Sequence, residues 1–166
     1  MNRHAWKACN PKGFVGSNPT LSARKFQKSI IINFFKYMYT QRLTLSVLPE
    51  RLGVCHFDKN TPIPNWALAG EGFSSIAKTN SELSVICAEG RIPGGVLAER
   101  GWRAFKVEGP LGFESTGIVS SLSIPLAEAQ ISILYISTFE SDYILVEERN
   151  LGKAKNILAT FCEIRE

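Results

Sequence analysis

From Leu43 onward, apolar and polar positions alternate in short runs separated by turn residues. "LTLSV" (43–47) and "RLGVCHFD" (51–58) read as strands on either side of a Pro49–Glu50 turn. In "TPIPNWALAG" (61–70), Pro64 stands near the start, helix formers follow and Gly70 closes the segment, which predicts a short helical turn. "FSSIAKT" and "ELSVICAE" predict two strands around Asn80–Ser81, a hairpin. "IPGGVLAERG" predicts a short helix ending at Gly101, and "WRAFKVEG" alternates as a half-buried strand.

The second half has a clearer pattern. Thr116–Ala129 places Ile118, Val119, Leu122, Leu126 and Ala129 on one helical face, with Ser115 or Thr116 as N-cap. Pro125 lies inside this span and cannot donate to the carbonyl four residues earlier, so a kink is expected there. "ISILYIST" and "DYILVEE" predict strands joined by "FES". "NLGKAKNILATFCEI" predicts a last helix with Leu151, Ala154, Ile157 and Leu158 inward, then room for a terminal strand. The order is strand, helix, two strands, helix, strand, roughly twice over. A unit of about 60 residues buries only about 60% of its chain's surface. Two such units are therefore expected to pack together, and spare edge strands favour pairing with another copy.

Charge changes the picture of the first forty residues. The net charge of +4 would ordinarily admit nucleic acid or an acidic membrane surface as partner. Yet residues 1–40 carry seven Lys/Arg and no Asp or Glu, whereas residues 41–166 carry twelve Lys/Arg against fifteen Asp/Glu. The organised part is thus mildly acidic, at −3, and gives no compositional reason to expect nucleic acid. "SIIINFFKYMY" (29–39) falls well short of the ~20 residues that span a bilayer, is interrupted by Asn33 and Lys36, and has no cleavage site after it. No membrane association is expected.

The leader admits another reading. "VGSNPT" (15–20) permits codons for a stem, a TTCGA-containing loop and the complementary stem, so it resembles the translated T-arm of a transfer RNA gene. "LSA" follows as the acceptor strand of a serine tRNA would, and "KSIIINFFKYMY" is built from residues with A/T-rich codons. On this reading residues 1–40 are a disordered leader from a misplaced start, and the true start is near Met38.

Catalytic chemistry finds little to work with. The histidines are His4 and His56, and His56 adjoins Cys55, whose side chain a strand sends to the opposite face. Cys9, Cys55, Cys87 and Cys162 lack metal-ligand or redox spacing and are expected to be reduced thiols of a cytoplasmic protein. "GRIPGG" (90–95) lacks the Lys and the helix of a phosphate-binding loop. No catalytic residue, metal or cofactor is expected.

The stretch "GPLGFESTGIVSSLSIPLAEAQISILYISTFESDYILVEERNL" (109–151) resembles ACT-domain proteins of the CASTOR type, the cytosolic arginine sensors, and their short bacterial stand-alone relatives. "PIPNWALAGEGFSSIAKTNSELSVIC" and "ERGWRAFKVEGPL" extend the likeness over residues 43–158. The resemblance implies an α+β fold of two ferredoxin-like βαββαβ ACT units in tandem, residues 41–104 and 105–166. It implies a non-catalytic regulatory sensor that binds an amino acid, arginine or another, at an ACT–ACT interface.

The usual acidic-x-Pro-Gly turn of these domains appears here as Glu114-Ser115-Thr116-Gly117, with Thr where Pro is common. Resemblance places ligand contacts on Gly117 and Ile118, and on Thr138, Phe139 and Asp142. A facing domain contributes Ser132 and Ile133, which in a homodimer puts Ser132 of one chain near Asp142 of the other. A helix N-terminus suits a carboxylate and Asp142 suits an ammonium or guanidinium. Each residue also has a plain role: Gly117 in a tight turn, Asp142 solvated in a hairpin, Phe139 in packing, Ser132 on an exposed strand face. A ligand-free interaction module that pairs through its sheet edges is the alternative function, and the regulated partner is not legible.

Overall fold

The computed structural model describes residues 42–111 and 115–166. The expectations for residues 1–40 and for a start near Met38 lie outside the described residues. Within them, an eight-stranded sheet carries two helices on one face, a mixed α+β fold. The strands are β1 (Thr44–Val47), β2 (Leu52–Asp58), β3 (Ser75–Lys78), β4 (Glu82–Ala88), β5 (Ala98–Val107), β6 (Ile133–Ser137), β7 (Asp142–Glu147) and β8 (Glu163–Arg165). The helices are α1 (Ile118–Glu128) and α2 (Leu151–Leu158).

Long strand β5 organises the sheet. On one edge it pairs antiparallel with β2 through its first half (Leu52↔Trp102, Cys55↔Ala98) and with β1 through its second (Val47↔Phe105, Leu45↔Val107). Its other edge pairs with β7, from Trp102↔Glu147 to Val107↔Asp142. β4 and then β3 extend the sheet beyond β2, and β6 extends it beyond β7. β8 pairs parallel with β1 (Leu45↔Ile164), so β1 is wedged between β5 and β8. β5 also runs unbroken across residues 104 and 105, where the family resemblance places the boundary between two units.

Between β1 and β2 the ladder is held through the Pro49–Glu50 turn. The Leu48 N–H donates to the Ala104 carbonyl (2.9 Å), and Arg103 Nη2 donates to the Leu48 carbonyl (3.0 Å). The register shifts between Leu52 and Val54, and a side chain at Gly53 would run into Ile92. A glycine therefore sits where β2 bends and another segment presses close.

The helices bury Leu45, Phe105, Val107, Ile144 and Val146 of the sheet beneath Ile118, Leu122, Leu126, Ala154 and Leu158. The predicted α1 face is corrected at one position. Val119 is 48% exposed, and Ser121 is buried in its place with its hydroxyl donating to the Ile118 carbonyl (2.7 Å). That bond satisfies a polar group that the periodicity argument would have kept outside. The helix runs through Pro125 to Glu128 without a break.

In the first half, the expected turn forms as a 3-10 helix at Asn65–Leu68, and the β3–β4 hairpin forms as expected. The helix expected in "IPGGVLAERG" does not form. Pro93 removes a donor, Gly95 takes φ 82°, and Ala98–Glu99 pair with Cys55 and Val54 instead. Carbonyls of this loop accept from Arg100: Nη1 reaches Glu89 at 3.3 Å, and Nη2 reaches Ile92 at 3.5 Å and Pro93 at 3.4 Å. Cys55 and Cys87 sit in the core of this half as free thiols. Burial pushes Cys55 up to about 11, with neighbouring Cys87 adding to the rise, which leaves it protonated and unreactive. His56 is exposed beside Glu82, its Nδ1 3.3 Å from Oε2, on the face opposite Cys55.

Leu45 is fully buried in the core of the second half although it comes from the N-terminal strand. Leu45→Ala is expected to cost about 2–5 kcal/mol, measured by urea denaturation. Amide exchange in this variant should rise at β8 before it rises at β3.

Candidate functional site

The N-terminus of α1 starts on a residue without a side chain. Gly117, not Ser115 or Thr116 as expected, is the N-cap; it has φ 80° and no side chain of its own with which to cap the helix. A left-handed residue here turns the chain sharply into the helix, a conformation glycine adopts without strain. Ser120 and Ser121 both point donors at the Gly117 carbonyl, the hydroxyl of one at 2.9 Å and the N–H of the other at 3.0 Å. The first-turn amides of Ile118, Val119 and Ser120 have no intrahelical acceptor, as at any helix start.

Across from this end lies the β6–β7 hairpin. Its turn is built by Thr138, whose N–H and hydroxyl both donate to the Ser141 carbonyl (2.9 and 2.7 Å) and whose hydroxyl accepts from the Ser141 N–H (3.2 Å). Phe139 stands at the tip, 75% exposed. The segment after β5 braces the turn: the Leu111 N–H donates to the Glu140 carbonyl (3.1 Å). At the first position of β7, Asp142 accepts a 2.7 Å hydrogen bond on Oδ2 from the Tyr135 hydroxyl.

A cavity of about 490 Å³ opens between the helix end and the hairpin. Of the residues singled out in the sequence, Gly117, Ile118, Thr138, Phe139 and Asp142 line it together. Ser132 and Ile133 do not; they lie at the opposite end of β6. The sequence reading missed Leu111 and the hydroxyl wall of Ser115, Ser120, Ser123, Ser137 and Ser141. It also missed Tyr135. Strand alternation carried that signal, because Tyr135 shares a face with Ser137, the partner of Asp142 across the hairpin.

A shallower cavity of about 420 Å³ lies beside the first, and Thr138 lines both. Its other walls are Leu48, Glu50, Gly72, Phe73, Ser74 and Tyr143. Phe73 packs on Tyr143 with ring centroids 4.5 Å apart, and its N–H donates to Glu50 Oε1 (3.0 Å). The loop that carries Phe73 therefore rests on the hairpin strands. Among the described residues, no group of three His, Cys, Asp or Glu side chains could hold a metal ion.

The first cavity thus brings together the start of α1, the Asp142 carboxylate and several serine residues. Residues 97–160, which carry that cavity, match the family model of the ACT domain, and residues 50–95 match a second model described as an N-terminal domain. The solved structure of protein Atu0741 from Agrobacterium tumefaciens superposes with a TM-score of 0.70 at 38% identity, covering 75% of this chain and 93% of that one. Residues 97–160 thus carry an ACT domain, and the chain belongs to the family of Atu0741.

Among the curated relatives, the Bos taurus cytosolic arginine sensor for mTORC1 subunit 1 is 34% identical over 161 residues. That match covers 89% of this chain and 48% of the sensor, so the chain spans about half the length of this relative. Aspartokinase alpha and beta subunits share the fold at 12% identity, with a TM-score of 0.54 over 72% of this chain and 97% of that one.

The hairpin is set against Gly109, where an added Cβ would run into the Glu140 carbonyl oxygen. Gly109→Ala is expected to cost about 1–3 kcal/mol by forcing backbone apart, and to shift the amide resonances of residues 138–141. Gly152→Ala, in α2 with nothing near the new methyl, is the control and should stabilise by up to about 1 kcal/mol.

Proposed function

We propose that this chain is a non-catalytic, cytoplasmic amino-acid sensor made of two ferredoxin-like ACT units in tandem, with its ligand at an interface between ACT units of a homodimer. The single observation that carries the reading is the cavity lined together by the N-terminal turn of α1 and by Asp142. The helix end would receive an α-carboxylate and Asp142 an ammonium or guanidinium. Arginine is a candidate ligand by relation to the arginine sensors, and another amino acid is equally compatible with one acidic side chain. None of the described helices is long and apolar enough to cross a membrane.

Strand order supports the tandem reading. In the first half β2, β3, β4 and β5 lie in the spatial order β3-β4-β2-β5. In the second, β5, β6, β7 and β8 follow the same path, β6-β7-β5 and then β8, with β1 inserted before the last. Both hairpins also turn on a threonine: Thr79 Oγ1 accepts from the Ser81 and Glu82 N–H groups (both 3.1 Å), as Thr138 does from Ser141. We read residues 41–104 and 105–166 as two units that share β5, the first with its helices reduced to single turns.

The dimer follows from an edge. Among the described strands β6 pairs with β7, and we read its outer edge as the side that meets a second copy. Antiparallel pairing of β6 with its copy about Tyr135 would set Ile133 opposite Ser137 of the other chain. Ser132 would then enter the second chain's cavity near Thr138 and Asp142.

A thermal-shift screen against the twenty amino acids tests the reading. A ligand present at 100 times its Kd should add about 2.7 kcal/mol of stability. Asp142→Ala should abolish the shift, and a shift that survives it places the site elsewhere. No shift with any amino acid at millimolar concentration would favour the ligand-free interaction module.

A further inference from the structure

The second cavity sets one carboxylate, Glu50, among hydroxyls and aromatic rings. The protons of its serine and threonine hydroxyls are committed within the protein. Ser74 Oγ donates to the Ala67 carbonyl (3.0 Å), and Thr138 Oγ1 donates to the Ser141 carbonyl (2.7 Å). Backbone donors of the wall are committed as well. The Leu48 N–H goes to the Ala104 carbonyl, the Thr138 N–H to the Ser141 carbonyl and the Phe73 N–H to Glu50 Oε1. A carboxylate only accepts, and a hydroxyl that has given its proton offers lone pairs alone. Glu50, Ser74 and Thr138 therefore present acceptors and no proton. Tyr143 brings the remaining hydroxyl of the wall, which accepts as readily as it donates.

Gly72 makes room beside the carboxylate. Its φ is 102°, and a Cβ there would stand 2.8 Å from Glu50 Oε1. Arg91 Nη2 also comes near Gly72, but Arg91 is not part of the wall. The apolar side of the cavity is Leu48 with Phe73 and Tyr143, whose rings meet at 44°. Ring faces attract cations, and Leu48 suits a carbon chain. A water takes about 30 Å³, so a cavity of about 420 Å³ is far larger than a bare metal ion fills.

We propose that this cavity is a second binding site, and that it takes a small organic ammonium without a carboxylate. The ammonium N–H groups donate to Glu50 and to the hydroxyl lone pairs, and the carbon chain lies against Leu48, Phe73 and Tyr143. An anionic group on the same guest would meet acceptors. The inference does not rest on the amino-acid reading of the first cavity.

The probe is n-butylammonium chloride, titrated at constant ionic strength into isotope-labelled protein while amide resonances are followed. Saturable shifts are expected at Gly72, Phe73 and Ser74. Glu50→Gln keeps an acceptor for the Phe73 N–H and removes the charge, and it should weaken binding about tenfold. Unchanged affinity in that variant overturns the proposal. So do shifts at Gly117 and Ile118 instead, which would put the amine in the first cavity, and so does the absence of any saturable shift. Potassium chloride and n-butanol complete the set. The same shifts with potassium would mean an inorganic cation site, and equal affinity for the alcohol an apolar hollow; either overturns the ammonium. The wild-type map decides by itself if the variant does not fold.

Discussion

β5 has both hydrogen-bonding edges occupied, and almost everything else in the molecule is placed by that double pairing. One edge receives β2 and β1 end to end, and the other receives β7. Because the two edges take strands from different parts of the sequence, the halves cannot separate without breaking ladders on β5 itself. Side-chain pairs reinforce the junction: Arg51 Nη2 lies 2.8 Å from Glu148 Oε2, and Arg51 Nε lies 3.8 Å from Glu89. These are exposed pairs, each worth at most about 1 kcal/mol, so the ladders and the core beneath them dominate.

The candidate site is a by-product of that placement. Register between β5 and β7 ends at Val107↔Asp142, and the chain leaving β5 must cross to reach α1. Its first residues press Gly109 and Leu111 against the hairpin turn at Glu140. The helix that follows starts on a left-handed glycine, and its first turn faces the hairpin across the cavity. A carboxylate, a hydroxyl wall and a helix end thus converge because one strand ends where another begins.

Much of this was legible because strands with one buried face leave a period-two signature, and seven of the eight fall in stretches with that pattern or at the predicted C-terminal extension, β5 doing so only from Trp102 on. What failed has physical causes. "IPGGVLAERG" contains helix formers, but Ala98 and Glu99 gain ladder partners in β2 that no local pattern reveals. At Val119 and Ser121 the helical face was judged by hydropathy, and a local hydroxyl–carbonyl bond allowed the serine inside. Ser115 and Thr116 were credible caps by composition, yet the chain enters α1 through a positive φ at Gly117. Gly117, Ile118, Thr138, Phe139 and Asp142 were singled out through family likeness, and the structure lines one cavity with all five. Tyr135 was overlooked because a tyrosine in an apolar strand reads as core until its partner across the hairpin is known.

The wedge of β1 between β5 and β8 sets an order of events on the ribosome. β1 is made before the other described strands, and β8 is made last, more than a hundred residues later. Its antiparallel neighbour β5 can reach it midway through synthesis, but its parallel neighbour cannot until residue 165 has emerged. Arg42 can donate to the carbonyls of Ala159 (3.1 Å) and Cys162 (2.9 Å) only then as well. The first of the described strands to be made is the last to be completed, and a nascent chain lacks the partner for that edge until β8 emerges.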